Sequence, residues 1–159
     1  MDVLGARLSG YAIPRWTEAV QEEILRHLDE DDCRAVLAAP FMGNPHAIPG
    51  DELAEVFRLQ RALRAGDDGP TAHLGEAESI WIADRLNGTF ITDDSEAFEF
   101  AEKSFGSNRV VDTIDLLREA VKAGELDANA AKQIVDGIRN SGRHLRAGHP
   151  PTITASYFL

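Results

Sequence analysis

At 159 residues, with 43% hydrophobic and 27% charged side chains, the chain has the balance of one ordinary globular domain rather than a disordered segment. Its single cysteine, Cys33, excludes an internal disulfide and a cysteine-built zinc site. A net charge of −11 opposes broad electrostatic attraction to a phosphate backbone, so a nucleic-acid role would need a local basic surface, a metal-screened site or a basic partner.

Residues 1–10 read as the end of a helix, with Val3, Leu4 and Leu8 at helical spacing and Gly10 as a stop. "YAI" at 11–13 is a short strand candidate closed by Pro14. Thr17 can cap the next helix, whose apolar stripe is Ala19, Val20, Ile24 and Leu28. The acidic run "DEDD" at 29–32 reads as a solvated helix end, and "CRAVLAA" leads into the Pro- and Gly-rich loop "PFMGNPHAIPG". Asp51 is placed to cap the helix "ELAEVFRLQRALRAG", with Leu53, Val56, Phe57 and Leu63 on one side, and "DDGPTAHLG" forms a second loop.

Beyond Gly75 the order becomes regular: helix "EAESIWIADRLNG", strand "TFIT", helix "SEAFEFAEKSFG", strand "RVV", helix "TIDLLREAVKAG" and a last helix "DANAAKQIVDGIRNSG". Strands alternating with helices of this length predict a parallel sheet in an α/β fold. The tail, Thr152–Leu159, has strand-like composition. Trp16 and Trp81 are expected to pack in the core, and Cys33 to be a small core residue. Arg139, Arg143, His144, Arg146 and His149 make the C-terminal section the most basic stretch, read as a solvated helix end with phosphate contact as the alternative. No apolar run approaches the ~20 residues of a membrane span. The N-terminus lacks the basic-then-apolar order of a secretion signal. The expectation is therefore a cytoplasmic protein without membrane contact.

The chemistry-bearing feature is a spread of carboxylates. Asp93, Asp94 and Glu96 follow the strand ending at Thr92, and the C-terminal ends of parallel strands are where ligands collect. Glu76 and Glu78 open the helix before that strand, and Glu22 and Glu23 lie in the helix after "YAI". Oxygen donors of this kind suit Mg²⁺ or Mn²⁺, and crowded carboxylates repel one another unless a cation compensates them. Each acid also has a plain structural reading: Glu76 on the helix dipole, Glu22 and Glu23 on a solvated face, Asp93 and Asp94 as a strand-to-helix cap.

Taken together, "YAIPRWTEAVQEEI", "HLGEAESIWIADRLNGTFITDDSEAFEFAEKSFGSNRVVDTIDLL" and a helix ending in "IRNSGRHL" resemble the PIN-domain family, most closely its branch with a Gly-Glu-Ala-Glu motif. The likeness covers most of residues 1–146, leaving 147–159 as a C-terminal tail. It implies a PIN-like three-layer α/β/α sandwich with a parallel central sheet. It also implies an endoribonuclease that hydrolyses RNA through water activated by Mg²⁺ or Mn²⁺, in the role of the toxin of a toxin–antitoxin pair. An antitoxin protein is the implied partner and a homodimer the expected assembly. By the same resemblance, Glu23, Glu76 and Asp94 are the catalytic acids and, with Asp93 and Glu96, the metal ligands. Thr92 would orient a carboxylate or water, and Glu78 would stand behind the ligands.

The family's opening strand, which ends in a metal-binding Asp, has no counterpart here, and Asp2 does not replace it. A start downstream of that strand, a tail that fills the central slot without supplying an acid, and a reduced member that no longer cuts are three explanations. The alternative function is a catalytically inactive PIN-fold module for partner binding or dimerisation. A phosphatase-like Mg²⁺ site on "TDD" ranks below both, because no nucleophile with a lysine partner stands at suitable spacing.

Overall fold

The computed structural model describes residues 14–40, 42–64, 69 and 72–159. The helix expected over 1–10 and the strand expected at 11–13 lie outside the described residues. The described chain is mixed α/β and mostly helical, with one two-stranded parallel sheet. It divides into two compact units, residues 14–88 and Thr89–Leu159. Among the described residues no helix is long and apolar enough to cross a membrane.

The described residues of the first unit form four helices: α1 (Glu18–Arg26), α2 (Asp31–Ala38), α3 (Leu53–Leu63) and α4 (Leu74–Arg85). Thr17 caps α1 as its sequence position predicts, its side chain accepting from the Val20 N–H at 3.2 Å. The cap of α3 differs from expectation: Glu52, not Asp51, stands at the N-cap, and it makes no side-chain cap bond. Glu52 instead pairs with Arg85 of α4, which ties the two helices together. The run 29–31 is exposed and leads into the start of α2, where the helix dipole favours negative charge. Trp16, at 6% exposure, and Trp81, at 7%, are both core residues, as expected. The Trp16 indole N–H donates to the Gly43 carbonyl at 3.1 Å, which closes the proline-rich loop onto the start of α1. Cys33 is only half-buried.

In the second unit, β1 (Phe90–Ile91) pairs in parallel with β2 (Val110–Val111), Phe90 opposite Val110 and Ile91 opposite Val111. Helix α5 (Ser95–Phe105) connects them, and α6 (Thr113–Lys122) and α7 (Ala128–Asn140) follow. Each helix begins on an aspartate. Asp94 caps α5, Asp112 and Asp115 form a reciprocal capping box on α6, and Asp127 caps α7. Gly106 ends α5 at φ +87°, a backbone conformation that a side chain would strain.

The strand-like tail is not a strand. Ala155–Phe158 is a 3₁₀ turn, and Ile153 and Phe158 are buried with Ile114, Leu117, Ala131 and Val135 of α6 and α7. Its apolar residues read as a strand by composition, but their burial is achieved by plugging the gap between two helices, which needs no sheet partner.

Candidate functional site

In the first unit, the carboxylates expected to act together come from α1 and α4. Ala19 and Glu23 lie on one face of α1, four residues apart, and Gly75 and Glu78 on one face of α4, three apart. Glu78 is 7% exposed, and its Oε2 accepts from the Ala19 N–H at 3.1 Å. One turn along, the Glu23 carboxylate lies against Gly75: a Cβ built there would stand 3.5 Å from both Glu23 oxygens and 3.2 Å from Val20 Cγ2. Glu23 is exposed as a residue, yet partial burial weighs on its carboxylate. Burial and then the neighbouring Glu76 push its pKa above the ordinary value of 4.5, Arg26 and His27 oppose them in part, and Glu78 adds a smaller upward effect. His73, at the N-cap of α4, makes no side-chain cap bond and sits in the left-handed region at φ 58°. Glu22 points to solvent in an exposed pair with Arg26.

Asp93, Asp94 and Glu96 belong to the second unit. Asp94 Oδ1 accepts from the Ala97 N–H at 2.7 Å, and the Asp94 N–H donates to Thr92 Oγ1 at 3.1 Å. Thr92 thus orients the backbone of the acid's own turn. Asp93 accepts from the Thr113 hydroxyl at 2.5 Å and from the Thr113 N–H at 3.3 Å, clamping the end of β1 to the start of α6. Glu96 is exposed in the first turn of α5. The capping reading of Asp93 and Asp94 is therefore realised for Asp94, while Asp93 makes a cross-link that the sequence did not suggest.

A third group was not anticipated. Asp112, fully buried directly after β2, accepts from the Asp115 N–H at 2.9 Å, from Arg146 Nε at 2.7 Å and from His149 Nε2 at 2.6 Å. Burial alone would raise its pKa, but the bonds from the Asp115 backbone, His149 and Arg146 outweigh it and hold the carboxyl below its ordinary range. His149 Nδ1 lies 3.0 Å from the Tyr157 hydroxyl, and Arg118 covers the Tyr157 ring at 4.7 Å. The basic C-terminal section is thus only in part the solvated helix end expected of it, with Arg143 and His144 exposed. Arg146 and His149 turn inward to Asp112, and Arg139 donates to the carbonyls of Pro150 and Pro151. The one legible hint was the "DTID" spacing of a capping box. Partners 34 and 37 residues away leave no local signature.

Among the described residues, Asp112, Asp115 and His149 are the one set of three such groups whose ligand atoms all lie within 4.8 Å of one another. Its charges are already matched, Arg146 on Asp112 and Arg118 on Asp115, so a divalent cation would add uncompensated positive charge. Neither Glu23, Glu76 and Glu78 nor Asp93, Asp94 and Glu96 converge that tightly within their own units. The Glu23–Glu76 pair nonetheless has the chemistry a hard cation answers: oxygen donors, mutual repulsion and a partly dehydrated carboxylate. No family model, curated protein or solved structure matches the chain.

Proposed function

We propose that the chain is a metal-dependent endoribonuclease with a PIN-like three-layer fold, acting in the cytoplasm as the toxin of a toxin–antitoxin pair. The observation that carries this reading is Glu23. Its carboxylate is held against Gly75 beside Glu76, in a place where both burial and a like charge penalise its ionised form. An arrangement that opposes its own charge is stabilised when a cation arrives, and oxygen donors select Mg²⁺ or Mn²⁺. When bound, such an ion would lower the pKa of its water and neutralise the scissile phosphate. Glu23 and Glu76 would hold it. Asp94 keeps its place through its own helix cap, and the resemblance assigns it a catalytic role. The test is RNA cleavage with added Mg²⁺ or Mn²⁺, expected in the wild type and lost on Asp94→Asn, together with Mn²⁺ uptake by calorimetry, weakened on Glu76→Gln. A chain that takes up no Mn²⁺ and cuts no RNA removes the reading.

The second reading is an inactive PIN-fold module that binds a partner protein or forms a homodimer. It is favoured by Asp93 and Asp94, both of which are engaged in local structure. It expects no Mn²⁺ uptake and no change on replacing Glu76.

A further inference from the structure

We infer that Glu78 is a positioning residue: its bond to the start of α1 sets the register at which the Glu23 carboxylate meets the first turn of α4. The inference rests on the proposed metal site for its functional meaning and on α1–α4 packing for its geometry. The first N–H groups of a helix have no partner within it, and at α1 they cannot all turn to water, because Thr17 is fully buried and Ala19 is 7% exposed. Thr17 takes the Val20 N–H at 3.2 Å and Glu78 takes the Ala19 N–H at 3.1 Å, so two acceptors, one local and one 59 residues away, complete the cap.

The contact pairs Ala19–Glu78 and Glu23–Gly75 then run in opposite directions along the two helices. An apolar side chain at position 78 would fill the same space but supply no directional bond to the Ala19 N–H. One residue of slip is about 1.5 Å, whereas metal ligands tolerate about 0.2 Å. A directional bond fixes that register, and Gly75 supplies the close approach: an added Cβ would stand 3.2 Å from Val20 Cγ2, so that the Val20 side chain must give by a few tenths of an ångström.

The test compares Glu78→Met, which lacks an oxygen acceptor, with Glu78→Gln, which keeps one, and with Gly75→Ala. Mn²⁺ affinity is read by calorimetry, and the Glu23–Gly75 contact by NMR cross-relaxation between their protons. Glu78→Met is expected to weaken Mn²⁺ binding by about tenfold or more and to abolish the contact, while Glu78→Gln retains both. Gly75→Ala, which helix propensity favours, is expected to weaken binding without lowering the thermal midpoint, a split that a purely structural role would not produce. Wild-type affinity and contact in Glu78→Met, or equal losses in Glu78→Gln and Glu78→Met, overturn the inference. If Glu78→Met does not fold, unchanged Mn²⁺ uptake in Gly75→Ala overturns it. If the wild type takes up no Mn²⁺, the metal reading alone fails and the NMR contact decides: retained in Glu78→Met, it sinks the positioning role; lost there and kept in Glu78→Gln, it sustains it.

Discussion

Among the described residues, Glu23 and Asp112 are the two carboxylates whose surroundings shift them clearly, and they are shifted in opposite directions. Asp112 is the more deeply buried, yet it is the one that holds its charge comfortably, because a backbone N–H, a guanidinium and an imidazole all point at it. Glu23 is penalised first by burial and then by the Glu76 charge, which Arg26 and His27 offset only in part. Burial pushes both carboxyls up, so it does not by itself separate a structural acid from a functional candidate. The direct hydrogen bonds that Asp112 accepts, from Asp115, Arg146 and His149, do. Asp112 is a finished network that organises the second unit, and Glu23 is an open one.

The sharpest way to break this contrast is to remove Asp112. Asp112→Ala deletes the α6 cap and leaves Arg146 and His149 facing a buried gap, so urea unfolding should show a loss of about 3–5 kcal/mol. The pH dependence follows from the lowered pKa. The folded state holds this proton less tightly than the unfolded chain, so the contribution is complete above the ordinary value of 3.8 and is lost as pH falls through the lowered folded value. Urea midpoints of wild type and variant should converge in that acid range. A constant gap down to the lowest pH would show that the Asp112 charge is not what stabilises the unit.

Asp94 offers a smaller effect with a cleaner division of roles. Its carboxylate caps α5 at 2.7 Å, so Asp94→Ala should cost about 1 kcal/mol, whereas Asp94→Asn, also a good cap, should change stability by only a few tenths. If Asp94 is catalytic, both substitutions abolish RNA cleavage. Cleavage surviving in the asparagine variant would make Asp94 a cap and nothing more.

The smallest effect is expected at Glu23, and it has the opposite sign to that at Asp112. A raised folded pKa means that the folded state favours the proton, so ionised Glu23 destabilises above the raised value and costs nothing below the ordinary 4.5. Glu23→Gln should therefore raise the thermal midpoint slightly at neutral pH, with the gain fading as pH drops through that ordinary value. Mn²⁺ should stabilise the wild type and leave Glu23→Gln unmoved. A midpoint that falls on Glu23→Gln at neutral pH would mean that Glu23, like Asp112, is a satisfied structural acid.

Much of the helical layout was legible because it depends on near neighbours. Thr17 before an apolar stripe, Asp94 and Asp127 before theirs, and Gly106 after α5 carry their instructions within three or four residues. The pairing of "TFIT" with "RVV" was also readable, from two β-branched runs separated by a helix. Where the sequence reading slipped, a distant partner had intervened. Glu52 rather than Asp51 starts α3, with its carboxylate on Arg85. The tail turned inward as a plug because α6 and α7 offered a gap for Phe158.

The sequence by itself determined most of the described helical segments (α2 excepted), where most of them start, and that carboxylates crowd around the Gly-Glu-Ala-Glu stretch. Only the tertiary structure decided which carboxylates are answered by positive partners and which stand against one another. Charge energies depend on distance and on water, and residues 34 to 59 positions apart acquire both only when the chain has packed.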